Sequence, residues 1–156
     1  MRAITANLFE CKIRYEKVMN NGKQKRVTEQ YVVDAMSFAE AEARIIEEMS
    51  AYVSGAFEVT DVRKASYKEV FVSDDVQDSR YYKAKLAFIT VDERTGEDKR
   101  TTATYLVQAA TFDGAVKNIN DMMGTTMIDY EKSNISETQI MDVFEYTAKN
   151  ADNDGK

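Results

Sequence analysis

The chain has 156 residues and a formal net charge of −6, with 44% apolar and 31% charged residues. That length fits one compact domain or two small units sharing a core, and a unit of roughly 70 residues is marginal alone. An acidic chain is poorly suited to gripping duplex DNA over its whole surface, because that grip comes from Lys and Arg neutralising phosphates.

Residues 1–7 lack the apolar stretch of a secretory signal, and no apolar run approaches bilayer length. The single cysteine, Cys11, cannot form an internal disulfide. A cytoplasmic protein without membrane contact is therefore expected.

Phe9, Cys11, Ile13 and Tyr15 alternate with Glu10, Lys12, Arg14 and Glu16, which predicts a strand with one buried and one wet face. Asn20, Asn21 and Gly22 make the turn, and a return strand runs from Lys25 to Ala35. Ser37 is placed to cap a helix with Glu40 three residues on; Phe38, Ala41, Ile45, Met49 and Tyr52 share one face, and Gly55 ends it. A long strand over 57–72 closes the unit, its alternation changing phase near Asp61 as at a bulge or bend.

This plan then repeats, about 73 residues on. Phe9 to Tyr15 answers Tyr82 to Phe88, and Gly22, Lys25, Arg26, Tyr31, Val33, Ala35 and Ser37 answer Gly96, Lys99, Arg100, Tyr105, Val107, Ala109 and Thr111. Strands are expected over 82–91 and 99–109, a helix from Phe112 to Met123 ending at Gly124, and a closing strand over 127–146. Gly114 stands where the first copy has Glu40, which predicts a weaker second helix.

The expected fold is α+β: a tandem duplication of a β-β-α-β unit with mainly antiparallel sheets, one helix per unit and a pseudo-twofold arrangement. Each sheet is expected to be three-stranded, in the order 2-1-3. The boundaries are 1–73 for the first repeat, 74–80 for a linker, 81–146 for the second repeat and 147–156 for a flexible tail. The repeats are expected to pack into one compact domain.

The sequence contains no histidine, which removes the commonest general base and zinc ligand. Cys11 lies in the apolar phase of a strand with no activating partner, as a structural thiol does. Asp74, Asp75 and Asp78 have the composition of a solvated loop, and Asn150, Asp152 and Asp154 open a calcium-loop pattern that the sequence does not complete. No glycine-rich phosphate cradle follows any strand. No catalytic residue, metal or cofactor is therefore assigned, and the chain reads as a non-enzyme.

The functional hint is a pair of basic stripes. Lys12 and Arg14 lie on the outer face of the first strand, Lys83 and Lys85 lie on its counterpart, and Lys25, Arg26, Lys99 and Arg100 open the return strands. With Tyr15 and Tyr81 nearby, these are ingredients of a single-strand nucleic-acid binder, in which cations follow phosphates and aromatics stack on bases. Lys and Arg also blunt exposed sheet faces in soluble β proteins, and that plainer reading stands beside it.

Phe9 to Lys17, Val33 to Ile45, Phe57 to Asp61 and Ile140 to Phe144 together resemble an uncharacterised domain-of-unknown-function family of gut Bacteroidota and their tailed phages. The resemblance spans nearly the whole chain. It implies a small cytoplasmic protein carried by phages or mobile elements, and it brings no catalytic or binding residues. The leading expectation is a non-enzymatic binding module for single-stranded nucleic acid or a protein partner. The alternatives are a structural or assembly subunit that self-associates as a homo-oligomer, and an inhibitor of a host defence protein.

Overall fold

A computed structural model describes residues 1–146; the tail expected at 147–156 lies outside the described residues. In chain order the elements are β1 (Arg2–Ile4), β2 (Leu8–Val18), β3 (Gln24–Asp34), α1 (Phe38–Ser50), β4 (Phe57–Ala65) and β5 (Glu69–Val72). They continue with β6 (Arg80–Val91), β7 (Asp98–Ala109), α2 (Phe112–Met123), β8 (Asp129–Glu137) and β9 (Ile140–Phe144). The class is α+β, and the β-β-α-β series occurs twice.

The hairpins form where the turn residues allow positive φ. Gly22 (φ 79°) and Gly96 (φ 72°) are the positive-φ residues of the described chain, each at the tip of a long antiparallel pair, β2·β3 and β6·β7. Alternation then sets the buried face. Phe9, Cys11 and Ile13 of β2 join Tyr31 and Val33 of β3 under Ala41, Ile45 and Met49 of α1. Ala84 and Leu86 of β6 likewise join Tyr105 and Val107 of β7 under Ile119 of α2.

Ser37 and Thr111 cap the two helices, accepting from the backbone N–H of Glu40 at 3.1 Å and of Gly114 at 3.0 Å. The first helix stops at Ser50, earlier than the expected end at Gly55. Val53 rather than Tyr52 turns inward onto the core, leaving Tyr52 exposed while the chain bends into β4.

The expected closing strand over 57–72 breaks into two strands that join different sheets. β4 pairs antiparallel with β2, as expected, whereas β5 pairs parallel with β7 of the second repeat. The segment 127–146 behaves the same way: β8 pairs with β6, and β9 pairs parallel with β3 of the first repeat. The three-stranded 2-1-3 sheets are thus extended to a four-stranded sheet, β4-β2-β3-β9, and a five-stranded sheet, β1-β5-β7-β6-β8.

The chain consequently divides into one unit of Ala6–Ala65 with the segment from Gln139 onward, and another of Met1–Thr5 with Ser66–Thr138. These are not the contiguous blocks 1–73 and 81–146, because each repeat gives its last strand to the other repeat's sheet. Each donated strand completes a core: Phe144 stacks on Tyr31 with ring centroids 5.5 Å apart, and Phe71 meets Tyr105 at 5.3 Å. Burying a phenylalanine contributes about 1.5–3 kcal/mol, which adds to the ladder hydrogen bonds that hold each short strand.

Candidate functional site

The face of each sheet turned away from its helix carries the charged residues, and its layout follows from register. Residues directly opposite on neighbouring strands share a face. Both sheets have a bulge at the same place. In the first, Lys12 faces Asp61 and Ile13 faces Val59, so Thr60 is the extra residue; in the second, Lys85 faces Asn134 and Leu86 faces Lys132, so Ser133 is extra. The Thr60 and Ser133 hydroxyls donate to the Lys12 and Lys85 carbonyls at 3.4 and 3.2 Å. The phase change expected near Asp61 is this bulge.

In the first repeat the helix-free face is a lattice of opposite charges. Glu10 stands opposite Arg63, Lys12 opposite Asp61, Arg14 opposite Glu58, and Glu16 opposite Arg26. Arg14 donates through both Nε and Nη2 to Glu58 Oε1, and Arg63 Nε lies 2.7 Å from Asp61 Oδ2. Lys12 and Arg14, predicted to form a basic stripe, therefore sit on a face where each base has a facing carboxylate.

The second repeat differs at the same places. Lys83 takes the position of Glu10 and stands opposite Ser136; Lys85 takes that of Lys12 and stands opposite Asn134; Ala87 takes that of Arg14 and stands opposite Glu131. Glu131 is drawn to Arg100, with Nη2 2.9 Å from Oε2. Lys83 and Lys85 are exposed, and no carboxylate faces them across β7 or β8. They line, with Thr104, Asn134 and Ser136, a depression of about 290 Å³.

The other expected residues do not extend this site as one stripe. Lys25 faces Lys17, whereas Arg26, the next residue, alternates to the opposite side of the ribbon and faces Glu16. Lys99 and Arg100 alternate in the same way, opposite Thr90 and Ile89. Tyr15 lies partly buried against the first core and Tyr81 is 3% exposed, and neither borders the depression at Lys83 and Lys85, whose lining holds no aromatic ring. Thr104, Asn134 and Ser136 were invisible to a search for charge; the signal for them was the loss, at the repeat spacing, of the first copy's Asp61 and Arg63.

Cys11 is fully buried, and burial first, then Asp61, Glu10 and Glu42, push its thiol up to about 12, as for an inert packing group. Asp75 and Asp78 are engaged in the turn before β6, where the Ser73 hydroxyl donates to Asp78 Oδ2 at 2.6 Å and the Gln77 N–H to Asp75 Oδ1 at 2.9 Å. Among the described residues no group of three or more His, Cys, Asp or Glu side chains converges to hold a metal ion. No described helix is long and apolar enough to cross a membrane.

Fold and site together define an α+β protein of two interlaced β-β-α-β repeats whose corresponding sheet faces differ in charge. The chain belongs to the family described as domain of unknown function DUF4494, whose model matches residues 7–146. No curated protein and no solved structure matches it.

Proposed function

We propose that this chain is a non-enzymatic binding module that takes single-stranded nucleic acid by its phosphate backbone on the helix-free face of the five-stranded sheet. The observation that carries the reading is the pair Lys83 and Lys85, exposed beside Ser136 and Asn134 with no carboxylate opposite either. Alternate residues of a strand lie about 6.8 Å apart, a spacing of the same order as that of successive phosphates on an extended single strand. Hydroxyl and amide groups such as those of Thr104, Asn134 and Ser136 are habitual phosphate contacts.

With no aromatic ring lining the depression, the contact rests on charge and hydrogen bonds rather than on stacking. The net charge of −6 opposes a polyanion at long range, so binding is local, modest and steeply weakened by salt. A cytoplasmic setting in gut Bacteroidota, their phages or mobile elements, the context the family resemblance implies, is compatible with such a ligand.

The test is fluorescence anisotropy of labelled single-stranded DNA and RNA titrated with protein at several salt concentrations. Micromolar binding that falls steeply with salt is the expected result. A flat titration at low salt removes the reading.

A further inference from the structure

Resting on that reading, we infer that the chain carries one phosphate subsite, in the second repeat, and that the matching place in the first repeat is filled by the protein's own carboxylates. The two faces share a backbone: the same strands, the same bulge, and a Ser or Thr hydroxyl at the bulge bonded to the carbonyl of the corresponding lysine. A duplicated scaffold of this kind would present two equivalent sites if its side chains matched. They differ at four positions of one cluster, where Glu10, Gln30, Asp61 and Arg63 are replaced by Lys83, Thr104, Asn134 and Ser136.

Two of these differences raise the charge of the face, and the other two replace a long side chain by a short hydroxyl. Lys83 adds a cation where the first repeat has an anion. Asn134 removes the carboxylate that stands opposite Lys12 in the first repeat, keeping its shape and adding a donor. Ser136 takes the place of Arg63, whose guanidinium holds Asp61 at 2.7 Å, and offers a small hydroxyl instead. The result is a depression with two ammonium groups, an amide and two hydroxyls, against a first-repeat face on which Asp61 occupies the place an incoming anion would take.

Such a site takes two successive phosphate diesters of a single strand, one at each lysine, and its two lysines set its salt dependence. Each phosphate neutralised on a single strand contributes about 0.7 to the slope of log K against log salt, so this pair contributes about 1.4.

The experiment compares the wild-type protein with two variants, using a labelled oligo-deoxythymidine titrated by anisotropy and counted by isothermal titration calorimetry. The double variant Lys83→Ala/Lys85→Ala is expected to bind roughly tenfold more weakly at low salt, with the slope reduced by about 1.4. The triple variant Glu10→Lys/Asp61→Asn/Arg63→Ser transplants the charge changes of the second-repeat cluster into the first, leaving Gln30 and the Arg14–Glu58 pair in place. It is expected to bind two short oligomers per chain where the wild type binds one.

All substituted side chains lie on the helix-free faces, so urea midpoints near that of the wild type check folding. A triple variant that stays at one oligomer per chain overturns the single-subsite inference and leaves the proposed function standing, whereas binding whose strength and slope survive the double variant places the contact off this face and overturns both. Absence of binding by the wild type overturns both.

Discussion

Asp34 Oδ1 accepts the backbone N–H of Tyr146 at 2.7 Å, and at the corresponding place in the second repeat Gln108 Oε1 accepts the backbone N–H of Ser73 at 2.8 Å. Ser73 follows β5 directly, and Tyr146 follows β9 with Glu145 between. Each donated strand is therefore latched by the side chain that ends, or nearly ends, the return strand it pairs with. A helix side chain braces each latch from behind: Arg44 donates to the Asp34 carbonyl, and Asn118 Nδ2 to the Gln108 carbonyl at 3.0 Å. One latch is ionic and the other neutral, so the geometry has outlived a change in chemistry.

The ionic latch should be the costlier to break. Asp34 is 1% exposed, and Arg44 is shared between it, at 3.5 Å, and Glu40, at 2.9 Å. Asp34→Ala removes the carboxylate that accepts the Tyr146 backbone N–H and takes one of two carboxylates from the part-buried Arg44 guanidinium, which keeps Glu40, and should destabilise by roughly 2–3 kcal/mol. Gln108→Ala removes one neutral hydrogen bond and should cost about 1 kcal/mol. Urea unfolding measures both; equal losses would show that charge adds nothing at Asp34.

Alkaline pH should weaken the fold, starting with Cys11. Its folded-state value of about 12 lies above the ordinary 9.0. The unfolded chain therefore loses this proton first, and stability that is complete below pH 9 drains away as pH rises toward 12. One such group gives a slope of about 1.4 kcal/mol per pH unit. Burial also raises the Tyr31 and Tyr146 hydroxyls above 10.0, aided by Glu29 and Glu48 respectively, so they join the trend only above pH 10. Between pH 9 and 10, Cys11→Ala, matching Ala84 in the second repeat, should flatten the dependence of the urea midpoint on pH.

The two hairpin glycines should be irreplaceable by alanine for backbone reasons alone. A Cβ at Gly22 or Gly96 meets no atom within 4 Å, yet their φ values of +79° and +72° disfavour any L side chain. Each alanine replacement should cost about 1 kcal/mol. Thermal unfolding tests this, and asparagine at either site should recover part of the loss.

Binding of single strands should be indifferent to base identity. Because no aromatic ring lines the depression at Lys83 and Lys85, oligo-deoxythymidine and oligo-deoxyadenosine of equal length should bind within about twofold of each other, whereas stacking platforms gain about 1–3 kcal/mol per base. A strong preference for one base in competition anisotropy would point to aromatic contacts and away from this face.

Much of the architecture was readable from local pattern. The alternation at Phe9 to Tyr15, the Ser37 and Thr111 caps and the glycine turns all depend on residues within one or two turns of each other, and each element formed close to where that pattern put it. The partners of β5 and β9 were not readable, since alternation says which side of a strand is apolar but not which strand lies beside it. Parallel pairing between segments of different repeats leaves no local mark.

The candidate site divides along the same line. Its lysines could be listed from the chain, and the repeat gave their corresponding positions once the register was known. Whether a cation faces a carboxylate depends on cross-strand register, and that register shifts by one residue at Thr60 and Ser133. Charge is carried by individual residues and can be read from their order alone; charge compensation belongs to pairs brought together by the sheet, and only folding makes those pairs.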